Sequence, residues 1–154
     1  MKACCSSAKA WPHSNPSVSS RRTRPVRRDH AFSYLAKAQE FLAVAEAARN
    51  DGRWDAAGLN AVHAVISAAD AVMVFRGGIR SAEQDHRAAR DLLEGVVGPD
   101  AKPPLRHLTA VLAKKNLVEY EQRRLTEKEA EEMLVHAERF LAWARQMLPP
   151  PPER

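Results

Sequence analysis

Residues 56–75 read AAGLNAVHAVISAADAVMVF, and the reading of this stretch decides the fold. Only four of its twenty residues are polar: Asn60, His63, Ser67 and Asp70. Their steps of three, four and three set them on one line along a single helical face. All other positions are apolar or small, so the helix is wet along at most one narrow stripe and buried elsewhere. Seven alanines and Gly58 let neighbouring helices approach closely. A membrane span of this length is costly with Asn60, His63 and Asp70 inside it, and Arg53, Asp55 and Arg76 leave the apolar run short. The stretch reads as the central helix of a soluble bundle, with no membrane partner.

The rest of the chain agrees with that reading. Its 154 residues amount to about one domain, long enough to bury a real core. Hydrophobic residues make up 45% and charged residues 28%, glycine is scarce, and β-branched residues form no alternating runs. The fold class is therefore all-α, an up-and-down antiparallel bundle of four to five helices.

Charge divides the chain more sharply than its overall balance of +5 suggests. Residues 1–28 hold seven cations and no acid, leaving 17 cations against 19 acids in residues 29–154. Residues 1–28 are rich in Ser, Arg and Pro and read as a disordered basic tail. The tail is an electrostatic arm for nucleic acid or anionic surfaces, an unstructured extension, or the product of a wrongly assigned start codon. Residues 29–148 form the helical body, and residues 149–154 a proline-rich C-terminal tail. The two cysteines, Cys4 and Cys5, are adjacent and lie within the basic tail, where they cannot staple the body. That usage fits a reducing, cytoplasmic location, and the N-terminus lacks the apolar core of a signal peptide.

Working outward from the central helix, residues 29–50 form a first helix with Tyr34, Leu35, Ala38, Phe41, Leu42, Ala45 and Ala48 along one face. Asn50-Asp51-Gly52 stops it, Asp55 is placed to cap the central helix, and Gly77-Gly78 ends that helix. Ser81-Ala82-Glu83-Gln84 reads as a capping box opening a third helix, whose face carries His86, Ala89, Leu92, Leu93 and Val96. Gly98-Pro99 to Pro103-Pro104 reads as a loop. A fourth helix follows, with Leu105, Leu108, Val111, Leu112 and Lys115 in line. Thr126-Glu127-Lys128-Glu129 is a clearer capping box, and it opens a last helix running to the prolines at 149–152.

Three constellations are candidates for chemistry. Asn60, His63, Ser67 and Asp70 contain a Ser/His/Asp set, but residues on one straight helix rarely converge on one substrate atom. A hydrogen-bonded seam is the simpler reading, so the four are assigned to binding. Arg80 and His86 flank the third helix start and are assigned the same role. Lys114-Lys115-Asn116-Leu117-Val118-Glu119-Tyr120 sets cations beside a carboxylate and an aromatic near a helix end. It can hold a phosphate, or it can simply place lysines against the carbonyl end of a helix. The chain shows no zinc spacing, Walker loop or nucleophile elbow, and neither metal nor cofactor is expected.

In this order the segments resemble the HEPN domains, small helical proteins of prokaryotic defence and toxin–antitoxin systems. The resemblance covers roughly residues 32–148. It runs through the long first helix, AAGLNAVHAVISAADAVMVFRGG, DHRAARDLL, the pair Glu119-Tyr120, and TEKEAEEMLVHAERFLAWARQML. It implies a four- to five-helix bundle, commonly a homodimer, often encoded beside a small nucleotidyltransferase. Many members are metal-independent ribonucleases in which an Arg and a His, four to six residues apart, flank the scissile phosphate. The matching position here reads Lys115 to Tyr120, with lysine in place of the arginine and Tyr120 in place of the histidine. Lysine keeps the charge and loses the two-pronged phosphate grip, and a phenol is a poor proton acceptor at neutral pH beside an imidazole.

The resemblance, with these departures from it, implies a non-catalytic or catalytically altered protein that binds a partner, either a nucleotidyltransferase or RNA. One alternative is an active ribonuclease toxin using Lys115, Glu119 and Tyr120. The other is a structural helical interaction protein.

Overall fold

The computed structural model describes residues 22–82 and 86–150. Among them the element order is β1 (Thr23–Pro25), α1 (Ala31–Asn50), α2 (Trp54–Gly77), β2 (Ile79–Ser81), α3 (His86–Val97), α4 (Lys102–Leu112), α5 (Lys115–Tyr120) and α6 (Glu127–Met147). Short 3-10 turns precede α1 and α4. The fold is all-α with one small two-stranded ribbon. Five helices exceed ten residues, and α5 is a single short one of six.

Helix α2 is the centre, packed by α1, α3 and α6, with α4 seated on α6. Thirteen of its 24 residues are buried, among them Val62, Val65, Val72, Met73 and Val74. Its longest apolar stretch would also pass as a membrane span by length and mean hydropathy, but 67% of that stretch is buried inside the protein. Helix α1 meets the core differently from the sequence reading. Ala31, Ala38 and Ala45 are fully buried, one per heptad, while Tyr34, Leu35, Phe41 and Leu42 are only half-buried on the flanks. A seam of alanines lets two backbones approach and pushes the larger side chains outward. Gly58 serves the same end on α2, where a Cβ would meet the side chains of Leu125, Met133 and Val118.

Several boundaries differ from expectation. Helix α2 starts at Trp54, one residue before the expected cap, so Asp55 lies in its first turn; Arg53 holds the cap position without a side-chain bond. At the far end only Gly78 is left-handed, with φ of 63°, while Gly77 completes the helix. Pro103 and Pro104 do not extend a loop. They sit inside the first turn of α4, where a missing N–H has no helical partner to lose. The fourth helix stops at Leu112, so Lys115 belongs to α5.

Residues 22–28, which the sequence reading assigned to the tail, are part of the folded structure. Thr23, Arg24 and Pro25 pair antiparallel with Ser81, Arg80 and Ile79. Val26 N–H donates to the Gly78 carbonyl at 2.8 Å, and Arg28 Nη1 to the Phe75 carbonyl at 3.2 Å. Backbone and guanidinium together close over the end of α2. Ser81 therefore lies in a strand, while the rest of its expected capping box, at 83 and 84, falls outside the described residues. So do residues 1–21, which include Cys4 and Cys5, and residues 151–154.

Candidate functional site

The last capping box builds a charged corner where α5 meets α6. Thr126 Oγ1 accepts from Glu129 N–H at 3.3 Å, and Glu129 Oε2 accepts from Thr126 N–H at 3.0 Å. Glu129 does more than cap. Arg123 grips both its oxygens at 3.0 Å each, and Lys114 Nζ reaches Oε1 at 2.9 Å. Those donors, Arg123 first and Lys114 next, hold its carboxyl well below the ordinary carboxylate range. One residue along, Arg124 Nε donates to Asp55 Oδ2 at 2.7 Å and Leu125 N–H to Asp55 Oδ1 at 2.8 Å. Both bonds lower the Asp55 pKa, the arginine more. Displaced from the cap, Asp55 ties the start of α2 to the loop before α6.

Against this frame lies α5. Lys115 Nζ and Glu119 Oε2 pair across one helical turn at 3.1 Å, with side chains only 18% and 16% exposed. Tyr120, next in the chain, is 77% exposed. The three residues that the ribonuclease alternative would use thus divide: Lys115 and Glu119 satisfy each other, and Tyr120 is exposed to solvent.

The stripe on α2 does not converge either. Asn60 Nδ2 donates to the Ala56 carbonyl of its own helix at 2.8 Å. His63 stacks on Phe41 of α1, ring centres 5.3 Å apart. Ser67 is half-buried. Asp70 is only 6% exposed and accepts from Arg80 Nε of β2 at 2.7 Å. Burial raises the Asp70 pKa and Arg80 counters it. Arg80 also covers the Tyr34 ring at 5.3 Å, which Lys37 approaches at 5.9 Å. Asp70 and Arg80 are a structural pair that the sequence reading had left apart. His86 opens α3, and its side chain lies outside the described residues.

Two histidines escaped the sequence reading altogether. His107 of α4 and His136 of α6 face each other with Nδ1 atoms 2.8 Å apart, so one nitrogen donates and the other accepts. Burial, then His136, Arg139 and Arg106, lower the His107 pKa. No group of three or more metal-ligating side chains occurs among the described residues.

An all-α bundle around an alanine-rich central helix, with its charged corner at the start of the last helix, defines a class of small helical domain. The HEPN domain family matches residues 32–147, and the chain belongs to that family. No protein of curated function matches it closely enough to lend a more specific role.

Proposed function

We propose that this HEPN-domain protein is a non-cleaving, partner-binding member of a cytoplasmic toxin–antitoxin or defence system. It works as a homodimer and engages a nucleotidyltransferase or RNA through the α5–α6 corner. The observation that carries the reading is the Lys115–Glu119 pair at 3.1 Å, largely shielded from solvent. Cleaving a phosphodiester requires a proton acceptor and a free donor at the developing charge. Here the cation and the carboxylate are spent on each other, and no histidine occurs in α5 or in residues 121–126. What the end of α5 does offer is an exposed aromatic, Tyr120, one of the residue types that anchor binding surfaces, followed in the chain by Arg123 and Arg124, which are held by Glu129 and Asp55.

Binding tests this directly. Any nucleotidyltransferase found encoded beside the gene, and separately a single-stranded RNA, are titrated against the purified chain. One of them is expected to bind, with affinity falling about tenfold or more in Tyr120→Ala. Equal binding by wild type and Tyr120→Ala would remove the corner from the interface.

A further inference from the structure

Among the described residues Asp70 is the one polar side chain buried in the core, and Arg80 is its partner at 2.7 Å. That partner comes from β2, a strand of only three residues with Arg80 at its middle. A strand so short does not hold its shape without a neighbour, and the sheet gives it one, β1. The ladder between them fixes which backbone groups matter. Val26 N–H donates to the Gly78 carbonyl at 2.8 Å and Ala82 N–H to the Arg22 carbonyl at 2.9 Å. The alternation of an antiparallel ladder then makes Arg24 and Arg80 the hydrogen-bonded pair between those two. Pro25 faces Ile79 in the other class of pair, where a missing N–H costs the ladder nothing. Two further contacts fasten the segment. Val26 packs on the core, and Arg28 Nη1 donates at 3.2 Å to the Phe75 carbonyl, one of those left open at the end of α2. The family match begins at residue 32, so this segment precedes the matched domain while fastening a strand inside it.

We propose that residues 22–28 are a clasp that holds β2 in place and so positions Arg80 on Asp70. The clasp and the ion pair form one two-state element. With β1 bound, the Asp70 carboxylate has its counter-ion. With β1 released, β2 loses its only strand partner, Arg80 leaves with it, and a buried carboxylate is stranded. Arg24 and Arg80 carry like charges on directly opposed residues, so the clasp acts through backbone hydrogen bonds and packing and not through its charge. A segment ahead of the family domain thereby controls an ion pair within it.

Urea unfolding of full-chain variants at neutral pH tests the coupling. Arg24→Pro deletes the N–H that pairs with Arg80, and Arg24→Gln removes the same charge while keeping that N–H. The first is expected to lower stability and the second to leave it nearly unchanged. The deciding comparison places Arg24→Pro in an Asp70→Asn background, where no carboxylate can be stranded. Its loss there should fall to about half or less of the loss in the wild-type chain, whereas a ribbon that merely added stability would cost the same in both. Equal losses in the two backgrounds would overturn the proposal. So would an Arg24→Pro protein as stable as wild type, or an Arg24→Gln loss as large as that of Arg24→Pro. If Arg24→Pro does not fold, Val26→Ala, which loosens the packing of the clasp and keeps its N–H, is carried through the same two backgrounds and read the same way.

Discussion

Helices α2 and α5 both carry polar residues that stand out in the sequence, and they use them in different settings. On α2 each polar side chain with a defined contact meets a nearby group inside the protein: Asn60 its own backbone, His63 the Phe41 ring, Asp70 the Arg80 guanidinium. On α5 the pairing of Lys115 with Glu119 is equally private, but the residues that follow it are presented outward. A polar line on a core helix marks how the core is closed. The exposed Tyr120 at the end of α5 is the contact we propose for a partner.

The comparison breaks most visibly at Val65. It is 1% exposed on α2, and Val65→Asp should unfold the domain, since an unpaired charge enters the core at a cost of roughly 4 kcal/mol or more. Ser67→Ala, on the half-buried stripe, should cost under about 1 kcal/mol. Circular dichroism melts of the two variants read the difference. A folded Val65→Asp protein would mean that α2 is not the centre.

Next in size is the Asp70–Arg80 pair. Arg80→Gln strands a buried carboxylate and should cost about 2 kcal/mol at neutral pH, discounted because Arg80 is itself 44% exposed. The Asp70 pKa is already raised by burial and rises further without its partner. The loss should therefore shrink as the carboxyl protonates in acid, which urea unfolding at neutral and acidic pH would detect.

At the corner, Glu129→Gln weakens the contacts to Arg123 and Lys114 and half of the capping box. The Glu129 pKa is depressed in the fold, so its stabilisation is present above the ordinary carboxylate pKa of 4.5 and fades as pH falls toward the lower folded value. Wild type should be the more stable at neutral pH, with the gap closing in acid. A gap independent of pH would remove the charge from the explanation.

The smallest effect belongs to the histidine pair. The His107 pKa lies below 6.5 in the fold, so the unfolded chain takes the proton first and stability falls as pH drops through that value. His107→Gln should flatten that slope between neutral and mildly acidic pH. An unchanged slope would mean that the Nδ1 contact does not restrain protonation.

How much of this was legible beforehand depended on whether the partners are near in sequence. The α2 stripe and the box at Thr126 and Glu129 are local patterns, and the helices formed where their periodicity and caps pointed. The β1–β2 ribbon pairs three residues with three others more than fifty positions away, and a strand that short leaves no periodic signal. Asp55 looked like a cap because nothing nearby revealed Arg124 and Leu125, about seventy residues on. His107 and His136 are unremarkable singly and become a pair only when α4 lies on α6. The family resemblance located α5 as the place to look. That Lys115 is tied to Glu119 while Tyr120 is exposed became visible only in the fold.

The central claim is that α5 binds without cutting. Purified protein incubated with single-stranded RNA in chelator should leave the RNA intact, and expression should not arrest growth. Lys115→Arg combined with Tyr120→His, which restores the family's residue types, is the positive comparison and should gain weak cleavage. Robust metal-independent cleavage by the natural chain, abolished by Tyr120→Phe or Lys115→Ala, would contradict the account and make this protein an active ribonuclease.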